Sequence, residues 1–191
     1  STIFEYLIKD YNSDSGGKYA EYFTPHAVSK IMARCLVGDK KVEDVSCYDP
    51  SAGSGTLLMN LANVIGEDKC SIYTQDISQK SSSLLRLNLI LNGLVHSLPN
   101  VIQGNTIKSP YHKEGNSLKR FDYIVSNSVI EHISDIKSFL NELSRYDNIN
   151  TKHLHCIDFS NHSSGIYDYS KSKFDLKRSH NDLNLLRPGG F

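Results

Sequence analysis

Asp49-Pro50-Ser51-Ala52-Gly53-Ser54-Gly55 is the stretch whose reading decides the fold. Val45–Tyr48 before it has the apolar character of a short strand. Thr56–Ile65 after it has the length and periodicity of a helix. The two glycines therefore stand in a strand-to-helix turn. In open α/β sheets ligands bind at the carboxyl ends of the strands. Glycine there removes side chains and lets the backbone approach a ligand closely. Three readings of the turn compete. A phosphate-binding P-loop needs Gly-Lys-Ser/Thr, which Thr56-Leu57 does not supply. A dinucleotide loop asks for a third glycine where Leu58 stands. The third is a tight turn with no ligand at all.

Outward from the loop an α/β rhythm holds. Ser71–Gln75, Asn100–Gln103 and Phe121–Ser126 read as strands, the last with the apolar run of a buried parallel strand. Ser81–Leu91 and Ile133–Ser144 read as helices, and His153–Phe159 is a fifth strand candidate. Such alternation implies a parallel sheet with helices on both faces. Upstream, residues 1–12 carry apolar positions at helical spacing, and 13–17 form a break. Thr24-Pro25 resembles a helix start, with Thr as N-cap and Pro at the first helical position; that helix would pass through Val28, Ile31, Met32 and Leu36. Residues 160–184 read as loop or peripheral structure. Two regions result: a helical lead-in over 1–40 and an α/β domain over 41–191.

Hydrophobic residues make up 39% and charged residues 22% of the 191, the balance of a soluble globular chain. No apolar run approaches the length of a membrane span, and no basic, apolar leader opens the chain, so a cytoplasmic location is expected. The opening Ser-Thr-Ile and closing Gly-Gly-Phe leave room for a fragment. Lys plus Arg equals Asp plus Glu. A stand-alone binder of duplex DNA usually carries a basic excess, so any grip on DNA needs help from elsewhere. Cys35, Cys47, Cys70 and Cys156 form no CxxC pair, and reduced thiols are the expected state.

Asp76 gives the glycine loop a companion. It ends the second strand about twenty residues on, where an acid accepts ribose hydroxyls. Loop and acid together read as a nucleoside site. S-adenosylmethionine (SAM) carries no pyrophosphate; it needs a short glycine loop for its amino-acid end and an acid for its ribose, and it fits better than a nicotinamide dinucleotide.

Several further stretches then point one way. Gly17-Lys18-Tyr19-Ala20-Glu21-Tyr22-Phe23-Thr24-Pro25-His26 resembles the segment that precedes the core of N6-adenine DNA methyltransferases, most of all the modification subunits of type I restriction–modification systems. The 49–58 loop, Gln75-Asp76-Ile77 with Arg86-Leu87-Asn88-Leu89, Gly104-Asn105-Thr106-Ile107 and Phe121–Asn127 are similar to successive motifs of the same family. The resemblance covers residues 1 to about 127. It implies a three-layer α/β/α, Rossmann-like class I SAM-dependent methyltransferase with an N-terminal helical lead-in. It implies that Glu21, Tyr22, Phe23, Thr24 and Pro25, with Asp49, Ser51, Ala52, Gly53, Ser54 and Gly55, meet the methionine part of SAM. Asp76 would hold the ribose and Asn105 would lie near the adenine ring, where the family usually has Asp. Asn127 would be the catalytic residue. DNA, reached through a partner specificity subunit, and the restriction subunits are the implied partners.

The likeness then breaks. The family continues with Pro, Pro and an aromatic that stacks on the flipped target base; this chain continues Ser128-Val129-Ile130. Losing the stacking costs about 1–3 kcal/mol per base. From Ser128 the chain resembles small-molecule SAM methyltransferases, which often place Glu-His after the fourth strand, here Glu131-His132, and a Pro-Gly-Gly turn before the fifth, here Pro188–Gly190. Alternatives to DNA methylation are therefore a non-DNA class I methyltransferase and a catalytically silent SAM-binding module. Glu131-His132 is read as a polar helix start rather than a general base. His153 and His155 share one strand face while Cys156 points away, a spacing of no common zinc pattern, so no metal is expected. The lysines and Arg178 of 171–178 read as a solvated loop.

Overall fold

The computed structural model describes Thr24 and residues 26–157. The expected helix over 1–12, the break at 13–17 and everything beyond 157 lie outside them. By its internal contacts the chain divides at Cys156/Ile157, and the architecture below belongs to the first part.

Helix α1 (His26–Val37) leads in, followed by β1 (Val45–Asp49), α2 (Thr56–Ile65), β2 (Cys70–Asp76), α3 (Gln79–Leu91) and β3 (Val101–Gln103). A small hairpin of β4 (Lys113–Glu114) and β5 (Ser117–Leu118) comes next, then β6 (Phe121–Asn127), α4 (Ile136–Ser144) and β7 (Asp147–Cys156). Five strands form one sheet in the order β3-β2-β1-β6-β7, all parallel. The order reverses between β1 and β6, so their carboxyl ends flank the crevice where ligands bind in such sheets. This is the order of a Rossmann-like, doubly wound sheet.

Side-chain alternation sorts the core into two layers. Cys47, Tyr123 and Val125 face α1 and α2, where Met32, Leu36, Leu57, Leu58 and Leu61 pack with them. The lead-in helix thus shares the main core, although Ile31 is 63% exposed rather than part of its buried stripe. Each fully buried leucine contributes about 1.5–3 kcal/mol. Tyr48 and Ile124 face the other way, onto Leu143 of α4, with Phe121 and Tyr146. Tyr48 stacks on Phe121 with centroids 4.5 Å apart, and buried His112 meets both ring systems edge-on.

Two element starts differ most from the sequence reading. Helix α4 begins at Ile136 rather than Ile133 because the Asp135 side chain accepts the Ser138 N–H at 3.0 Å, a regular N-cap; Ile130–His132 form a separate 3-10 turn. The fifth strand begins at Asp147, six residues earlier than expected. The mostly polar stretch Asp147–Lys152 hid it, yet two of its side chains tie it on: Thr151 Oγ1 and Asn148 Nδ2 both donate to the Phe121 carbonyl. The pairing slips between Phe121 and Tyr123 to admit them.

Asp122 joins three strands near their starts. Its Oδ2 accepts the Ser46 N–H and hydroxyl, each at 2.8 Å, and its Oδ1 accepts Asn148 Nδ2 at 3.1 Å. Asp122→Ala strands these donors and should cost about 1–3 kcal/mol in urea unfolding; an unchanged midpoint would reject the tie.

Candidate functional site

The glycine loop closes as the sequence pattern asks. Gly53 has φ 53° and Gly55 φ 79°, both in the left-handed region. The Gly55 N–H donates to the Ala52 carbonyl at 2.8 Å, and helix α2 begins at the next residue. A Cβ on Gly55 would lie 3.0 Å from Leu85 Cγ, whereas a Cβ on Gly53 would meet nothing within 4 Å among the described residues. The two glycines thus do different work: Gly55 lets α3 pack against the loop, and Gly53 keeps its outer side open. Asn88 of α3 donates to the Ser54 carbonyl at 3.0 Å, and Ser54 and Thr56 share a hydroxyl contact at 3.2 Å.

Asp76 is the junction. Its Oδ2 accepts the Gly53 N–H at 2.9 Å, and its Oδ1 accepts the Ser78 N–H at 2.8 Å. Its backbone carbonyl accepts the Gly104 N–H at 2.8 Å. One residue therefore joins the loops that follow β1, β2 and β3. A carboxylate offers about four lone-pair positions, so both oxygens keep one for a ligand hydroxyl.

Asp49 is buried, and its Oδ1 accepts the Ser51 N–H at 2.9 Å. Burial pushes its carboxyl up to about 7; the Ser51 N–H opposes the shift and the nearby Asp76 charge adds to it. Asn105 Oδ1 accepts the N–H groups of both Ile107 and Lys108, at 3.0 and 2.9 Å. Its oxygen thus shapes its own loop, and the amide NH2 is what it offers a ligand. Thr106 ties this loop to the first by donating to the Pro50 carbonyl at 2.7 Å.

Beside these loops lies a pocket of about 200 Å3, smaller than the roughly 300–1,000 Å3 of most small-molecule sites. Ser51, Asp76 and Asn105 line it, so three of the expected residues meet at one cavity. Thr24, Asp49, Ala52, Gly53, Ser54, Gly55 and Asn127 are outside its lining, and Glu21, Tyr22, Phe23 and Pro25 lie outside the described residues. The sequence reading missed the apolar walls, which include Ile77, Ile107, Val129, Ile133, Phe139 and Tyr146. Ile77 and Ile107 each follow a motif residue and are 69% and 64% exposed, a signal for a ring-binding slot that periodicity does not register.

Asn127 ends β6 at the crevice. Its Nδ2 lies 3.1 Å from Ser128 Oγ. Ser128 has φ 53°, and its N–H donates to the Cys156 carbonyl of β7 at 2.9 Å. Proline fixes φ near −65° and has no N–H, so this turn excludes proline at 128. The missing prolines thus accompany a different backbone path. His132 is exposed and Glu131 half-buried in the 3-10 turn, and neither lines the pocket.

The comparisons agree with this geometry. Residues 1–153 match the model of the family described as N-6 DNA Methylase. The chain is 33% identical over 132 residues to the type I restriction enzyme MpnII methylase subunit of Mycoplasma pneumoniae, covering 65% of this chain and 24% of that protein. It is 25% identical over 130 residues to the MjaIX methylase subunit of Methanocaldococcus jannaschii, covering 65% and 21%. Among solved structures, the type I restriction-modification methyltransferase subunit of Streptococcus thermophilus superposes with TM-score 0.63 at 21% identity over 79% of this chain and 37% of that one. A putative O-methyltransferase from Nostoc punctiforme superposes with TM-score 0.57 at 16% identity, over 78% and 42%. The fold is therefore that of class I methyltransferases. Within it, the chain belongs to the N-6 DNA methylase family. It spans about a quarter of the length of the curated relatives it matches. Among the described residues no helix is long and apolar enough to cross a membrane.

Two outcomes follow. Gly55→Ala should lower stability by about 1–3 kcal/mol, from a strained φ and the Leu85 contact together, while Gly53→Ala costs less; equal losses in urea unfolding would refute the division of labour. Asp49 has a raised folded value, so the stability of its neutral form is complete near pH 4 and declines as pH rises to about 7. Asp49→Asn keeps the Ser51 acceptor without the charge. Across that window its Tm should gain on that of the native chain, and a constant difference would show that Asp49 does not titrate there.

Proposed function

We propose that this chain binds SAM and takes part in N6-adenine methylation of DNA as part of a type I modification subunit. The observation that carries the reading is the Asp76 carboxylate, held between the loops after β1 and β2 and lining an apolar slot. The donor set suits the cofactor. Asp76 keeps two acceptor positions for ribose hydroxyls, Ile77, Ile107 and Val129 offer apolar walls to a purine, and Asn105 adds an amide donor at its edge. The slot is sized for the nucleoside end, leaving the methionine end to the open side of Gly53 and to the Glu21–Pro25 segment.

SAM, when bound, supplies an activated methyl group. The chain's part is to orient the amine that receives it. The contact between Asn127 Nδ2 and Ser128 Oγ leaves Asn127 Oδ1 as the acceptor for a target N–H, with the Ser128 carbonyl as a second. Positioning of this kind supplies most of the acceleration in a one-step transfer. The zero net charge of the chain leaves duplex affinity to a specificity subunit, with restriction subunits completing the assembly.

A second reading, a SAM-binding module without turnover, is favoured by one observation: the left-handed Ser128 replaces the rigid, aromatic-bearing turn on which a flipped base would stack. Calorimetry and product analysis separate the two. SAM should bind the native chain and bind Asp76→Ala at least about tenfold more weakly, the cost of a lost charge-assisted bond; equal affinity would reject the role of Asp76. With DNA and a specificity subunit supplied, N6-methyladenine should appear in digested DNA. Asn127→Ala should lower that rate about 100-fold or more with SAM affinity unchanged. SAM binding without any methyladenine would establish the silent module instead.

A further inference from the structure

One stripe of α4 faces the slot beside Asp76. Phe139, Glu142, Leu143 and Tyr146 stand at i, i+3, i+4 and i+7, and all four line the pocket. Tyr146 follows the helix end, but its N–H still donates to the Leu143 carbonyl at 3.0 Å, so the helical spacing holds. Leu143 and Tyr146 are buried in the core with Tyr48 and Phe121, which fixes the side that α4 turns to the slot. Three members of the stripe are apolar or aromatic. The fourth is Glu142, and a carboxylate in the apolar stripe of an amphipathic helix is out of pattern.

Its present partner holds it weakly. Arg145 Nη1 donates to Glu142 Oε2 at 2.5 Å, but both side chains are about half exposed, and exposed pairs of this kind contribute little. Glu142 Oε1 has no partner among the described residues. The charge is felt by a neighbour in the pocket lining: burial raises the Tyr146 hydroxyl and the Glu142 charge adds to it, against the opposing pull of Tyr48 and Arg145. The loop side of the slot is committed elsewhere. Asn105 Oδ1 is taken by the Ile107 and Lys108 N–H groups, so its free group only donates. Thr106 Oγ1 donates to the Pro50 carbonyl. Of the two carboxylates that line the pocket, Asp76 is assigned to the ribose and Glu142 remains.

We infer that Glu142 is a specificity residue for the purine of the bound cofactor, its carboxylate accepting an N–H of the exocyclic amine; this rests on the reading of the slot as a nucleoside site. A carboxylate suits an amine in two ways. It accepts the N–H in a charge-assisted bond. It also repels the carbonyl oxygen of a purine that carries oxygen in place of the amine, the repulsive half of a specific site. Apolar walls cannot make this choice, because shape alone hardly separates NH2 from O, whereas a site built to bond an N–H rejects the analogue that lacks it. Ile77, Ile107 and Val129 therefore hold a ring, and Glu142 selects which ring is held.

Calorimetry on the 191-residue chain with two ligands tests this: S-adenosylhomocysteine, and S-inosylhomocysteine, in which a carbonyl oxygen replaces the purine amine. The native chain should prefer the amine at least about tenfold, the worth of one hydrogen bond to a charged group. Glu142→Gln, whose amide both accepts and donates, should cut that preference at least about fivefold, and Glu142→Ala should do the same. A merely structural loss weakens both ligands alike and leaves the ratio in place, so an unchanged ratio in the folded variants overturns the inference. A native ratio near one, with S-adenosylhomocysteine bound, overturns it and leaves the cofactor reading standing. Binding of neither ligand removes the cofactor reading and this inference together. Should Glu142→Ala fail to fold, the ratio in Glu142→Gln, a side chain of the same size, decides.

Discussion

The carboxylate of Asp76 is the constraint on which the rest of the site depends. Three loops leave the carboxyl ends of β1, β2 and β3, and each on its own is free to splay. Asp76 fixes the first through the Gly53 N–H, the second through the Ser78 N–H and the third through its own carbonyl. A carboxylate accepting several backbone N–H groups in a partly buried place makes charge-assisted bonds, the strong kind. The slot between Ile77 and Ile107 follows from this anchoring, because each isoleucine directly extends one of the fixed loops.

The other side of the crevice is organised differently. There β6 ends at Asn127, and Ser128 turns left-handed to reach across to Cys156. Strand β7 therefore fixes the turn that follows Asn127. Its own attachment is polar: Asn148 and Thr151 on Phe121, Asp122 on Ser46 and Asn148, and His155 on Ser126. The Asn127 end of the site thus hangs on the polar attachments of β7, while the Asp76 end is tied by its own hydrogen bonds above the core packed beneath α1 and α2.

Much of this was legible in the residues. Gly53 and Gly55 marked the turn because only glycine adopts those φ values cheaply. Asp76 marked itself by ending an apolar strand. The five parallel strands followed from apolar runs, and four of them were placed to within a residue or so. The fifth was placed too late, because Asp147–Lys152 are polar apart from the exposed Ile149 and their pairing is decided by side-chain bonds to Phe121 that no periodicity reports. The slot walls were missed because Ile77 and Ile107, although they stand within motif stretches, are exposed apolar residues that hydrophobic periodicity does not register. The turn at Ser128 was visible only as missing prolines; that its backbone excludes proline required coordinates. Asn105 was read as a ligand contact, and its oxygen proves to be taken by the Ile107 and Lys108 amides.

The most direct measurement of the central claim is a two-dimensional amide NMR titration of the chain with S-adenosylhomocysteine, the product form of the cofactor. If Asp76 is the hinge of a nucleoside slot, the amides of Gly53, Ser78, Ile107 and Val129 should shift together and saturate with one affinity, while those of Asp147–Lys152 hold still. Saturable binding that leaves Gly53 and Ser78 unmoved would contradict the account.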